Sequence, residues 1–247
     1  MKNNRTLLIS LVIVVTLFIG AVIFVPQLTK GSGGTSSEID LSKYNLVSVI
    51  PASEDNGNIA DHVKGDLSTA KVIIYEYADY QCTACASFNS WLKELMSEYS
   101  SQLAIVYRVY PLTTIHPNAI AAASAVEAAG LQGYWEAYGD LLFANQAEWY
   151  YATGSKRTDY FVSYFETVTG GTGDTAQFKA DMASPAVKAK LSFDKAIAES
   201  YQLDATPSFI GSDGKEINFI ADGVEQTKSG ILKFFRSYIN AQLEAAN

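Results

Sequence analysis

Lys71-Val72-Ile73-Ile74-Tyr75-Glu76-Tyr77-Ala78-Asp79-Tyr80-Gln81-Cys82-Thr83-Ala84-Cys85 is the stretch whose reading decides the fold. Residues 71–78 form an unbroken apolar and aromatic run of strand length. That pattern predicts a central strand buried on both faces. Beyond Cys82, the residues Phe88, Leu92, Leu95, Met96 and Tyr99 recur at helical spacing. They predict a helix from about Cys82 to Tyr99, with Cys85 on its apolar face. Two cysteines three apart therefore stand where a buried strand turns into a helix. The unpaired N–H groups and the dipole of a helix start stabilise an anion there. Cys82 is expected to be the exposed nucleophile with a lowered pKa, and Cys85 the resolving thiol one turn further in. A thiolate that attacks a disulfide forms a mixed disulfide, which a second thiol then collapses.

Outward from this junction, residues 103–110 read as a second strand, rich in Val, Ile and Tyr. Further strands are expected at 208–210 and 216–221, joined by the turn Ser212-Asp213-Gly214. Thr227 is placed to cap a last helix carrying Ile231, Phe234, Phe235, Tyr238 and Leu243. Upstream, 46–50 reads as a short strand and 55–65 as loop. The long interval between strands reads as helices over 117–130, 134–145, 159–169 and 185–201, with His116 at a helix start and Pro117 at its first position. Its many aromatics are mostly core, and a minority are candidates to line a groove for unfolded clients. The order β-α-β, helices, β-β-α is that of an α/β thioredoxin fold with an inserted helical subdomain at about 112–203. In this architecture Thr206-Pro207, directly before the third strand, is expected to form a cis-proline loop facing the dithiol. The backbone of Thr206 would pair with an extended substrate. Glu76, six residues before Cys82, has two readings. It is a buried carboxyl of raised pKa that accepts or relays the proton of Cys85, or it is an edge residue reaching solvent. Arg108 on the adjacent strand is a candidate partner for it.

The N-terminus bears on compartment. Residues 7–25 are apolar and uncharged, long enough at about 1.5 Å per residue to cross a bilayer core. Lys2 and Arg5 precede them, which orients the N-terminus to the cytoplasm. No small-residue cleavage pattern follows Val25. The expected organisation is a cytoplasmic tail (1–6), a transmembrane helix serving as uncleaved anchor (7–25), a Gly/Ser-rich flexible linker (26–45) and a catalytic domain (46–247) outside the cytoplasmic membrane. Beyond Arg5 the chain has 16 basic against 26 acidic residues, which argues against nucleic acid as a partner. Two cysteines are too few for a disulfide-stapled scaffold. With His62 and His116 the only histidines, they do not match zinc-finger spacing. No metal or other cofactor is expected.

Several segments together resemble the DsbA-like thioredoxin family. They are Gly65-Asp66, Ala70-Lys71-Val72, Glu76 with Asp79-Tyr80-Gln81-Cys82-Thr83-Ala84-Cys85, His116-Pro117-Asn118-Ala119 with the Ala-rich run to Ala129, Gly133-Tyr134-Trp135 with Leu142-Phe143, and Ala205-Thr206-Pro207-Ser208-Phe209. The resemblance covers about residues 65–238. It implies disulfide exchange on exported, unfolded or reduced proteins, and a membrane redox partner that reoxidises the dithiol. The pair between the cysteines is Thr83-Ala84, where the family often has Pro-His, so one stabiliser of the Cys82 thiolate is missing. The leading expectation is a monomeric thiol oxidase using Cys82, Cys85, Thr206, Pro207 and Glu76. A reductase or isomerase, and a thiol-based metal-binding or chaperone module, are the alternatives.

Overall fold

The computed structural model describes residues 39–246, Ala221 excepted. The expected anchor and most of the linker lie outside the described residues. Among those described, no helix is long and apolar enough to cross a membrane.

The sheet has the order β1-β3-β2-β4, formed by β1 (His62–Lys64), β2 (Val72–Ala78), β3 (Leu103–Val109) and β4 (Ser208–Gly211). β2 runs parallel to β3, while β1 and β4 pair antiparallel with β3 and β2. Hence β2 is central, as its unbroken apolar run requires. Helix α1 (Thr83–Tyr99) is the crossover from β2 to β3. The interval between β3 and β4 is helical: α2 (Ala119–Gly130), α3 (Trp135–Ala144), α4 (Gln146–Trp149), α5 (Gly154–Thr169), α6 (Thr175–Asp181) and α7 (Pro185–Ser200). Helix α8 (Lys228–Ala245) closes the fold, and its start is capped by the Thr227 side chain, which accepts the Gly230 N–H.

Strand alternation divides the core between the two faces of the sheet. Ile74, Ile105, Tyr107 and Phe209 join Cys85, Phe88 and Leu92 of α1, Phe235 of α8 and most of the aromatics of the insert. Tyr75, Tyr77, Val106 and Ile210 join Phe193 and Ile197 of α7. Tyr138, Trp149, Phe161 and Phe165 are fully buried, whereas Tyr151 is exposed.

Three local expectations are corrected. Residues 46–50 form no strand, and β1 arises instead at 62–64, inside the stretch read as loop. The reason is a side chain. Arg108 donates to the carbonyls of Leu46 and Ser48 at 2.7 and 2.9 Å, taking the place of a partner strand. Second, among the described residues of the expected strand 216–221, only Glu216 pairs, in an isolated bridge opposite Ile210. Third, the helix expected from His116-Pro117 starts at Ala119, with Asn118 as its N-cap.

A buried charge cluster ties the segment before β1 to the sheet. Asp61 accepts Arg108 Nη2 at 2.8 Å and Ile50 N at 3.0 Å on one oxygen, and Lys190 Nζ at 3.1 Å on the other. Lys190 also donates to Asp194 at 2.8 Å, and Asp194 accepts the Val109 N–H at 3.0 Å. Gly57, at φ +67°, lets the same segment touch α7, since a Cβ there would lie 2.0 Å from the Ala186 carbonyl.

Candidate active site

The dithiol stands at the junction where β2 gives way to α1, with Cys82 as the N-cap and Cys85 inside the first turn. Both cysteines are free thiols. Cys85 is fully buried, and the Asp79 N–H points at its sulfur at 3.5 Å. Cys82, expected to be exposed, is only 8% exposed. It is covered because the Thr206 carbonyl lies 3.3 Å from its sulfur. Even so, Cys82 is the more accessible of the two.

Their acidities diverge. Cys82 is pulled down to about 6, chiefly by the Cys85 thiol donating to its sulfur, with further help from the N–H groups of Cys85 and Ala84. Burial works against this and is outweighed. Cys85 is pushed well up, first by burial and then by the neighbouring Cys82 sulfur. One thiol thus ionises near neutral pH while the other keeps its proton, the division of labour that exchange through a mixed disulfide needs.

The Thr206–Pro207 peptide is cis and leads directly into β4. Glu76 is fully buried on β2, in register with Tyr107 of β3 and Phe209 of β4. The reading of Glu76 as a solvent-reaching edge residue is therefore overturned. Among the described residues neither of its oxygens has a hydrogen-bond partner, and nor does the Tyr107 hydroxyl. Burial raises the Glu76 carboxyl to about 7 against the weaker opposing charge of Lys64, and the Tyr107 hydroxyl across from it is near but out of hydrogen-bonding geometry. Arg108 is not its partner. Arg108 is in register with Tyr77, one residue on, so its side chain emerges on the opposite face of the sheet. There it bonds Asp61 and the Tyr77 hydroxyl.

Asp79, Gln81, Asn118 and Gln146, to which the sequence analysis gave no role in the site, hold the dithiol loop. The buried Asp79 accepts the N–H groups of Gln81 and Leu112, each at 2.8 Å, and bonds His116 Nδ1 at 2.8 Å. Its own carbonyl accepts the Cys82 N–H at 3.0 Å. Gln81 accepts the Asn118 N–H at 2.6 Å and donates to the Tyr150 carbonyl at 2.9 Å. Gln146 donates to the carbonyls of Tyr80 and Cys82 at 2.9 and 3.1 Å. The insert thereby grips the loop through His116, Asn118 and Gln146. The available signal was two polar residues, Asp79 and Gln81, between an apolar strand and the cysteines. Asp79→Ala is expected to cost about 3 kcal/mol, because it orphans two buried N–H groups and the imidazole. Urea unfolding of the variant measures this, and a loss below about 1 kcal/mol contradicts the role.

A dithiol of split acidity set beside a prolyl loop, on a mixed sheet with the parallel β-α-β crossover, defines a thioredoxin fold equipped for thiol–disulfide exchange. The chain belongs to the thioredoxin family, whose model, described as Thioredoxin, matches residues 58–226. Similar solved structures are DsbA-family thiol–disulfide oxidoreductases. Oxidised BdbD from Bacillus subtilis gives a TM-score of 0.60 at 14% identity, over 79% of this chain and 97% of that one. Alpha-DsbA1 from Wolbachia pipientis gives 0.58 at 19%, over 75% and 92%. MdbA, a thiol-disulfide oxidoreductase from Corynebacterium diphtheriae, gives 0.53 at 20%, over 74% and 96%. At these identities the likeness is one of fold. Among curated proteins, the Na(+)/H(+) antiporter NhaA 3 of Salinispora tropica is 33% identical over 162 residues, 65% of this chain and 22% of that protein. NhaA 1 of Salinispora arenicola is 40% identical over 101 residues, 40% of this chain and 14% of that protein. The chain spans less than a quarter of the length of these curated relatives.

Proposed function

We propose that this protein is a thiol oxidase that introduces disulfide bonds into exported proteins, anchored by residues 7–25 with its catalytic domain outside the cytoplasmic membrane. The observation that carries the redox chemistry is the placement of the two thiols, Cys82 at the N-cap of α1 and Cys85 buried within its first turn, with the split acidity that this placement brings. In the oxidised enzyme, a client thiolate attacks the Cys82 sulfur. The client–Cys82 bond forms, the Cys82–Cys85 bond breaks, and Cys85 leaves as a thiolate. Glu76, whose carboxyl burial raises to about 7, is the group we assign to protonate it. A second client thiolate then attacks the client sulfur of the mixed disulfide and expels Cys82. Two electrons pass from client to enzyme, and the client gains a disulfide. The low pKa of Cys82 makes it a good leaving group and favours the reduced enzyme, so the disulfide is oxidising. A membrane redox partner would then take up the two electrons. The names of the sequence relatives describe whole proteins of which this chain matches a minor part, and antiport is no part of the proposal.

The direction of transfer is testable by equilibration with glutathione. A potential between about −120 and −270 mV, with oxidation of a reduced client, is expected. A value at or below the lower limit, with no client oxidation, would make the protein a reductase.

Glu76 gives a second test. Its pKa rises from 4.5 in a free chain to about 7 in the fold. The stability this group contributes is therefore fully present below pH 4.5 and lost as pH rises through 7. Glu76→Gln removes the loss. The reduced variant should match the pH trend of the wild type minus about 3 kcal/mol of decline between these limits. Denaturant unfolding at pH 4.5 and pH 8 reads the difference. Parallel trends in both proteins would show that Glu76 ionises freely.

A further inference from the structure

On the side of the insert formed by α2, α5, α6 and α7 lies an open groove of about 620 Å³. Its floor is apolar, with Ala121, Phe161 and Met182, and Ile120 stands 45% exposed at its wall. Its rim carries the cations Arg157, Lys179 and Lys188, and among the described residues no carboxylate lines it. This is unusual for a chain whose acidic residues outnumber its basic ones by 26 to 18. Lys179 and Lys188 extend from exposed positions. Arg157 is fixed by its bond to the Asn118 side chain at 2.8 Å, and Asn118 is held by Gln81, the residue before Cys82. The loop that leads into the groove also presents Ile115, 65% exposed.

We propose that this groove is a docking subsite for an acidic, partly apolar peptide segment of a protein substrate, bound away from the substrate's reacting cysteine. The substrate identity rests on the oxidase reading above, but binding in the groove needs no thiol chemistry. Charge complementarity selects the acidic segment, because three cations and, among the described residues, no carboxylate line the groove. The floor supplies apolar area for anchoring side chains, and Ser124 and Thr158 on the walls offer hydroxyls to a peptide backbone. A lipid tail would call for an enclosed apolar cavity, whereas this groove is open along its length. Through Asn118 and Gln81, Arg157 links the wall of the groove to the loop that carries Cys82.

The test uses the full chain and a short fluorescein-labelled peptide alternating Glu and Leu and lacking cysteine, with a Lys/Leu peptide as control. Fluorescence anisotropy should show salt-sensitive binding of the acidic peptide alone. The double substitution Lys179→Glu and Lys188→Glu should weaken it by at least about tenfold, two reversed charges at a partly exposed site. Thiol alkylation of Cys82 in the same variant should match that of the parent, separating loss of the groove from loss of the redox site. The inference fails if the acidic peptide does not bind, or if it binds the variant equally well. It also fails if only vesicles of phosphatidylglycerol bind in a Lys179- and Lys188-dependent manner, which would make the groove a membrane contact. Failure of client oxidation with peptide binding intact would overturn the oxidase reading and leave the groove standing as an acidic-peptide site.

Discussion

Asp61→Ala is expected to destabilise the protein by about 3–5 kcal/mol, the loss that follows when one partner of a buried ion pair is removed. Both Arg108 and Lys190 have fully buried side chains and both lean on Asp61. Asp194 also faces Lys190, but among the described residues no second carboxylate reaches Arg108, which would keep the carbonyls of Leu46 and Ser48 and the Tyr77 hydroxyl. The loss is enlarged because Asp61 also caps the Ile50 N–H. By contrast, Lys195→Ala removes an exposed i,i+4 contact with Glu199 and should change stability by less than about 0.5 kcal/mol. Denaturant unfolding of the two variants gives the comparison. Equal small effects would mean that the cluster is dispensable for the fold. The cluster lies on the face of the sheet away from Glu76, so the surviving folded fraction of Asp61→Ala should keep its thiol reactivity.

The second large effect concerns the dithiol. Cys82→Ser should abolish exchange, because a hydroxyl cannot form or break a disulfide. Cys85→Ala should instead retain the first step and stall. With no second sulfur to collapse the intermediate, mixed disulfides through Cys82 should accumulate. Non-reducing electrophoresis with a reduced or oxidised client reads both outcomes. Trapped adducts in Cys82→Ser, or none in Cys85→Ala, would reverse the roles of the two cysteines.

The unbroken run of β2, the helical spacing after Cys82 and the Ala-rich and aromatic helices of the insert were legible in the sequence because each is a local pattern. Thr227 as a cap was legible for the same reason. What escaped was set by long-range side-chain bonding. The segment 46–50 has strand composition, yet Arg108 from β3 takes its carbonyls. The bond of the His116 imidazole to the buried Asp79 leaves no local pattern. The burial of Glu76 could be argued from its place in an apolar run, but the failure of Arg108 to reach it follows from the strand register. Two adjacent β3 residues face opposite sides, and only the pairing shows that Tyr107, not Arg108, stands across from Glu76. Two short helices, 146–149 and 175–181, carry too few turns to leave a periodic signal. The first of them holds Gln146, whose grip on the Cys82 carbonyl no spacing argument exposes.

The most direct test of the account is a short pulse of iodoacetamide on the reduced protein across a range of pH, with the labelled cysteine identified by mass spectrometry. Labelling should fall on Cys82 alone and reach half its maximum near pH 6, following its lowered pKa, while Cys85 stays unmodified through neutral pH. Labelling of Cys85 first, or of Cys82 only as the pH approaches the ordinary thiol value of 9, would contradict the assignment of Cys82 as the nucleophile.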